Sequence, residues 1–147
     1  LAVNTADNFV QFETSGLAEG VYFTRLAVAE QAPRPAPQRL SYAFETDLLL
    51  IDRTPPVLAA PTITRANGLV QIAISGRDAL SILEGAEFTL NNGFQTAVAH
   101  PADGILDSKE ERFIAEIPEA KAAGATSLEI TLYDHAGNAA STRVPLK

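Results

Sequence analysis

Hydrophobic and polar residues alternate along most of the chain with a period of two, which is typical of strands that bury one face. Strands are therefore predicted at residues 9–13, 21–29, 40–44 continuing towards 51 with a break near Asp47, 58–64, 70–75, 86–90, 94–98, 112–117, 128–133 and 140–146. Pro61 places the strand at 58–64 on a sheet edge, because proline cannot donate to a ladder. One helical turn is predicted at residues 119–124, capped by Gly124. The pattern therefore predicts an all-β fold.

Turn signals separate these strands. Asn67-Gly68 and Asn91-Asn92-Gly93 are typical of hairpin turns, and residues 134–138 predict the last turn. Pro33, Pro35 and Pro37 predict an exposed loop over residues 31–38.

The stretch Ile51-Asp52-Arg53-Thr54-Pro55-Pro56-Val57 predicts a junction between two domains. Adjacent prolines remove backbone donors and extend the preceding residues, so this stretch is a short, stiff connector. Residues 1–54 supply about three strands, too few for a sandwich of about seven. We therefore expect residues 1–54 to be the C-terminal strands of a partial sandwich, with an apolar face or open edge covered by the second domain or by another chain. Residues 57–147 are expected to form a complete sandwich.

Several motifs support this division by resemblance. Asp-x-Thr-Pro-Pro at residues 52–56 and Tyr133-Asp134-His135-Ala136-Gly137-Asn138 resemble the linker and last hairpin of tandem immunoglobulin-like or fibronectin-III-like modules in bacterial exported proteins. The segments 17–22, 78–88 and 103–113 resemble the region that follows the β-propeller in large bacterial exported repeat proteins. The resemblance implies β-sandwiches and an extracytoplasmic location. It also implies that Tyr22 forms a tyrosine corner; a plain core tyrosine is the alternative.

Charge and composition exclude some classes of function. The net charge is −7 and no basic stripe occurs, which argues against nucleic-acid binding. The chain has no cysteine, so disulfides and thiolate metal sites are excluded. No stretch in the sequence is long and apolar enough to predict a membrane span.

The segment from residue 101 to 112 is the first candidate site, because its carboxylates could offer oxygen ligands to calcium. These carboxylates are Asp103, Asp107, Glu110 and Glu111. Their spacing does not match a calcium-binding loop of the EF-hand type. The favoured alternative is a turn at Asp103-Gly104, followed by a helical turn at residues 109–112 capped by Asp107-Ser108.

Asp134 and His135 are the second candidate, because they combine a carboxylate and an imidazole. Neighbouring residues in a turn do not face each other as a catalytic pair must, so Asp134 is expected to accept backbone N–H groups within the turn. His100 is the only other histidine, and it precedes a proline in a predicted loop. No catalytic, cofactor-binding or metal-binding residue is assigned, and no nucleotide-binding or hydrolase motif occurs.

The expected function is therefore a non-catalytic structural, spacer or protein-interaction module of a larger exported bacterial protein. The expected partners are other domains of the same parent protein, or a second copy through the incomplete first domain. A carbohydrate- or ligand-binding accessory module of an extracellular enzyme is the alternative. It would need exposed aromatic rings, whereas the chain has no tryptophan and most of its three tyrosines and seven phenylalanines fall at inward positions of the pattern.

Overall fold

Antiparallel strands make up most of the structure, a computed structural model that describes residues 11–30, 35, 37, 39–96 and 100–146. This confirms the all-β prediction. The chain divides into two units, Leu1–Ile51 and Asp52–Lys147. The second unit thus begins with Asp52, inside the predicted junction.

The first unit contains a two-stranded antiparallel hairpin of β1 (Gly20–Ala29) and β2 (Ser41–Ile51). The pairing runs from Gly20↔Ile51 to Ala29↔Ser41 and shifts register between Phe23 and Arg25. The shift lies opposite the segment around Asp47, where a break was expected. β2 continues through it, so the irregularity is a bulge within one strand.

The strand predicted at residues 9–13 is not confirmed. Residues 11–13 lie in no strand, and residues 9 and 10 lie outside the described residues. Among described residues the first unit therefore has two strands rather than three. In the predicted proline loop, Pro35 and Pro37 lie in no strand, and residues 31–34, 36 and 38 lie outside the described residues.

The second unit contains two antiparallel sheets. Its strands are β3 (Val57–Leu58), β4 (Thr62–Ala66), β5 (Leu69–Arg77), β6 (Leu83–Leu90), β7 (Gln95–Thr96), β8 (His100–Pro101), β9 (Glu110–Pro118), β10 (Ser127–Asp134) and β11 (Ala139–Pro145). One sheet has the order β11-β10-β6-β7. In the other, β3 and β4 both pair with β5, which is followed by β9 and β8.

Several local predictions hold in this unit. Asn67 and Gly68 have φ angles of 54° and 75°, as a tight hairpin turn requires. α1 (Glu119–Ala122) is the predicted helical turn, and Gly124 has a φ of 78° beyond its end. Pro61 lies between β3 and β4, so the strand predicted at 58–64 is interrupted there while both pieces pair at the sheet edge.

Two local predictions are wrong. His100 was expected in a loop, but it pairs with Ile114 as part of β8. The expected helical turn at residues 109–112 does not form, because β9 begins at Glu110 and pairs along β5. β9 forms nine ladder pairs with β5, and these stabilise the strand more than one capped turn would stabilise a helix.

The core lies between the two sheets of the second unit. Buried residues alternate along β5, β6, β9 and β10. The inward residues form one apolar cluster, built around Val70, Ile72, Ile74, Leu83, Phe88, Leu90, Phe113, Ile117, Leu128, Ile130 and Leu132. Because both sheets contribute to it, they pack face to face. The approach is closest at Gly76, where an added Cβ would overlap Leu132 Cδ2 and lie 3.5 Å from Leu83 Cδ1.

Candidate functional site

Three aspartates meet at one end of the second unit. Asp52 is its first residue, Asp78 follows the end of β5, and Asp134 is the last residue of β10. One carboxylate oxygen from each lies within 4.8 Å of the others, the one such group of potential metal ligands among the described residues. Asp134 is fully buried and Asp52 is only 9% exposed. We call these three residues the aspartate cluster.

Asp78 and Asp52 hold the segment after β5. Asp78 Oδ1 accepts hydrogen bonds from the N–H groups of Leu80 and Ser81, both at 2.8 Å. The buried Ser81 hydroxyl donates in turn to Asp52 Oδ2. Asp52 Oδ1 accepts the Thr54 N–H at 3.1 Å, which forms a local turn before the two prolines. These bonds attach the start of the second unit to the end of β5.

Asn138 connects Asp134 with Asp52. Asp134 Oδ1 accepts the Asn138 N–H and Oδ2 accepts the Asn138 side-chain amide, each at 2.9 Å. The same amide nitrogen donates to the Asp52 carbonyl at 3.3 Å. Gly137, with a φ of 89°, closes the turn by donating to the Asp134 carbonyl at 3.1 Å. Asp134 therefore has the predicted role of accepting N–H groups within the last turn.

Two kinds of chemistry fit the aspartate cluster. Carboxylate oxygens are the ligands that calcium and magnesium prefer, so the three side chains could hold a divalent cation. Each oxygen except Asp78 Oδ2 already accepts a hydrogen bond from the described residues. Buried carboxylates that accept several N–H and O–H groups are the usual anchors of turns. The observed hydrogen bonds thus explain the cluster structurally, because they join three segments that are distant in sequence.

The acidic segment proposed for calcium does not converge on a common point. Asp103 and Asp107 are exposed, as is Glu110 at the start of β9. Asp103 Oδ1 accepts the Ile105 N–H at 3.1 Å, as expected of a turn. Glu111 is 5% exposed and its Oε1 accepts the Ser108 N–H at 3.1 Å, so it anchors the loop from the inward side of β9.

Neither histidine belongs to the group of potential metal ligands found among the described residues. His135 is exposed and its backbone N–H donates to the Ile82 carbonyl at 2.9 Å. His100 lies on β8.

The sequence reasoning missed the convergence of Asp52 and Asp78 with Asp134. The available signal was that all three belong to the motifs Asp-x-Thr-Pro-Pro, Asp78-Ala79-Leu80-Ser81 and Asp-x-x-Gly-Asn.

One small depression lies beside β3, the end of β5 and the start of β9. It has a volume of about 120 Å³ and is lined by Val57, Leu58, Arg77 and Glu110, among others. Small-molecule sites usually enclose about 300–1,000 Å³. This depression is therefore too small to enclose a ligand of ordinary size.

The hairpin of the first unit exposes apolar side chains on one face. Leu26 is opposite Phe44 and Val28 is opposite Tyr42, so all four share that face. Val28 and Tyr42 are 57% and 69% exposed, and Leu26 and Phe44 are 42% and 43% exposed. The rings of Tyr42 and Phe44 lie 6.1 Å apart. We call these four residues the hairpin apolar face.

The opposite face of the hairpin is also apolar near its open end. Phe23 is opposite Leu48, and they are 69% and 62% exposed. The expectation that most aromatic side chains point inward therefore holds for Phe88 and Phe113 in the second unit and is wrong for Phe23, Tyr42 and Phe44 of the hairpin. The alternation therefore shows which side chains share a face of the hairpin, and these side chains are exposed.

Tyr22 lies at the start of β1, and its hydroxyl donates to the Ala18 carbonyl four residues upstream at 2.8 Å. This is the hydrogen bond that a tyrosine corner makes. The hydroxyl thereby links the start of β1 to the residues that precede it.

Among the described residues, no helix has the length and apolar character needed to cross a membrane. No protein-family model matches the chain, and comparisons with curated proteins and with solved structures give no significant match.

Proposed function

We propose that the chain is a tandem pair of immunoglobulin-like or fibronectin-III-like modules, the first partial and the second complete. Its role is that of a non-catalytic structural, spacer or protein-interaction segment of a larger exported bacterial protein. The exported, bacterial setting rests on the resemblance of the linker and last-hairpin motifs. The architecture and the surface of the hairpin give independent support to the rest.

The strand order of the second unit supports the immunoglobulin-like assignment. Immunoglobulin-type sandwiches place their first, second, fifth and fourth strands in one sheet and their third, sixth and seventh in the other. When β3 and β4 are taken as two halves of the first strand, β5, β9 and β8 correspond to the second, fifth and fourth strands of the first of these sheets. The order β11-β10-β6 follows the second, with β7 as an additional edge strand.

The tyrosine corner supports the partial character of the first unit. In immunoglobulin-like domains this tyrosine stands near the start of the sixth strand. From the hydrogen bond between Tyr22 and Ala18 we infer that β1 and β2 correspond to the sixth and seventh strands. We infer that the earlier strands are supplied by other domains of the parent protein or by a second copy.

The exposure of the hairpin apolar face is the observation that carries the proposal. A hairpin of two strands is marginally stable in water. Burying a side chain of the size of Val, Leu or Phe stabilises a protein by about 1.5–3 kcal/mol. Four such side chains on one face therefore favour association with another apolar β-surface. The unpaired outer edges of β1 and β2, described without a third strand, favour the same kind of partner.

The aspartate cluster fits a spacer role. Spacer modules need a fixed start as well as a stable core, and Asp52 is bonded to both Ser81 and Asn138. The residues that follow Asp52 include Pro55 and Pro56, whose backbone is stiff. The first turn of the second unit is thereby held at a defined position within that unit.

Hydrogen exchange of the whole chain tests the proposal. In a monomer, we expect the amides of β1 and β2 to exchange much faster than those of β5 and β10. Light scattering at increasing protein concentration shows whether a second copy covers the hairpin, because the protection of β1 and β2 then rises with dimer formation. If a second copy does not cover the hairpin, adding the preceding segment of the parent protein should protect the amides of β1 and β2.

Val28→Ser and Tyr42→Ser are the matched variants for this experiment. Each should weaken the association that protects the hairpin. Ile105→Ser is the control, because Ile105 is 59% exposed in a loop of the second unit rather than in the hairpin. A monomer whose β1 and β2 are as protected as β5 and β10 would show that the first unit is complete by itself, and the proposal would fail.

One observation favours the alternative of polysaccharide binding. Tyr42 and Phe44 present neighbouring exposed rings, and sugar rings stack on exposed aromatic faces. A glycan array with the whole chain distinguishes the two functions. Binding that is lost in Tyr42→Ala and retained in Ile105→Ser would establish the alternative, whereas protein association without glycan binding would eliminate it.

A further inference from the structure

The second unit contains two Asn-Gly sequences in exposed turns, and the structure holds their reactive atoms differently. Asparagine is chemically labile before glycine, because a residue without a side chain lets its amide nitrogen reach the asparagine Cγ. We propose that Asn67 is a site of spontaneous deamidation and isoaspartate formation in the folded protein, whereas Asn92 is protected by its hydrogen bonds. This inference is independent of the proposed function.

The reacting atoms at Asn67 are unrestrained. Asn67 and Gly68 are both exposed. Among the described residues, neither the Asn67 side-chain amide nor the Gly68 N–H makes a hydrogen bond. Only the Gly68 carbonyl is held, by the Glu119 N–H at 2.9 Å.

Asn92 presents the opposite arrangement. The nucleophile is occupied, because the Gly93 N–H donates to the Leu90 carbonyl at 3.0 Å. The electrophilic amide is also held: Asn92 Oδ1 accepts the Phe94 N–H at 3.1 Å, and Nδ2 donates to the Lys121 carbonyl at 2.9 Å. Several hydrogen bonds must break before attack, which predicts a reaction at least about tenfold slower than at Asn67.

Asp103-Gly104 forms the same kind of held turn. The Gly104 N–H donates to the Pro101 carbonyl at 3.1 Å, and Asp103 Oδ1 accepts the Ile105 N–H at 3.1 Å. A held glycine amide is therefore common to Asn92-Gly93 and Asp103-Gly104 and absent from the described contacts of Asn67-Gly68.

The reaction needs water and no other reagent. The Gly68 nitrogen forms a bond to Asn67 Cγ, the bond from Cγ to Nδ2 breaks, and Nδ2 leaves as ammonia with the proton from Gly68. Water then opens the cyclic imide at either carbonyl, giving aspartate or isoaspartate. Isoaspartate adds a methylene to the main chain between Ala66 and Leu69, which are directly paired. We expect the β4–β5 hairpin to lose its register in that product.

Peptide mapping by mass spectrometry tests the inference on the whole chain. The protein is incubated in mildly alkaline buffer, once folded and once unfolded in urea. In the unfolded chain, Asn67 and Asn92 should react at comparable rates because both precede glycine. In the folded chain, Asn67 should react at least about tenfold faster than Asn92. The acidic species seen by isoelectric focusing should disappear in Asn67→Gln.

The comparison gives a clear negative result. If Asn67 reacts no faster than Asn92 in the folded chain, the inference is wrong whatever the unfolded rates are. Persistence of the acidic species in Asn67→Gln would likewise overturn it, because another residue would then be its source.

Discussion

Gly76→Ala tests the face-to-face packing of the two sheets in the second unit. Gly76 lies on β5, and an added methyl group would overlap Leu132 Cδ2 of the opposite sheet. Leu132 is fully buried and so is Leu83, whose Cδ1 lies 3.5 Å from the same point, which leaves Leu132 little room to move away. Adding a methyl group to a packed core costs about 1–3 kcal/mol of unfolding free energy.

Gly85→Ala is the matched control. Gly85 also lies in a strand, neither glycine has a positive φ, and no atom lies within 4 Å of a Cβ built at Gly85. An alanine there restricts the unfolded chain without a clash, so its unfolding free energy should be unchanged or higher by up to about 1 kcal/mol. The pair of variants therefore separates the effect of space from that of glycine itself.

Calorimetry and urea unfolding of the whole chain measure the effect, with hydrogen exchange at β5 and β10 to assign it to the second unit. A loss of 1 kcal/mol lowers the Tm of a domain of this size by about 4–8 °C. Leu132→Ala should cost less in the Gly76→Ala background than in the wild type, since the smaller side chain leaves space for the methyl group. A Gly76→Ala protein that unfolds like Gly85→Ala would refute this description of the core.

Two further predictions concern polar groups. Asn138→Ala should lower the unfolding free energy by about 1–3 kcal/mol, because it removes the amide that donates to the buried Asp134 Oδ2 and to the Asp52 carbonyl. A urea unfolding midpoint that does not change would contradict this. The hydrogen bond from the Tyr133 hydroxyl to Glu87 is the largest of the causes that raise the pKa of Tyr133 above 10.0. Because the folded protein therefore holds this proton more tightly than the unfolded chain, the contact stabilises the fold fully below pH 10.0, and this contribution is lost as the pH rises through the raised pKa. Glu87→Gln should lower that pKa in a tyrosinate absorbance titration, and an unshifted curve would argue against the contact.

Much of the second unit was predictable because its signals are local. A strand alternates its side chains between two faces, and four of the strands predicted there show that alternation of burial. The hairpin turn at Asn67-Gly68 was predictable because few residues adopt positive φ at low cost. The turn role of Asp134 was predictable for a similar reason, since its acceptors are four residues or fewer from their donors.

Other features depended on pairing between distant residues. His100 and Pro101 form a strand only because β9 offers them ladder partners, and Glu110 and Glu111 extend β9 because they pair with β5. A proline and a short polar segment give no strand pattern of their own. The register shift in β2 was visible in the sequence only as an interruption near Asp47.

The sequence by itself determined the strand class and the main turns, because these follow from side-chain period and from the conformational limits of Gly, Pro and Asn. Only the tertiary structure decided that Asp52, Asp78 and Asp134 meet, since they are separated in the chain and converge through the ends of β5 and β10. It also decided that Phe23, Tyr42 and Phe44 of the hairpin are exposed. Alternation shows which side chains share a face, but whether that face is buried depends on a second surface packing against it.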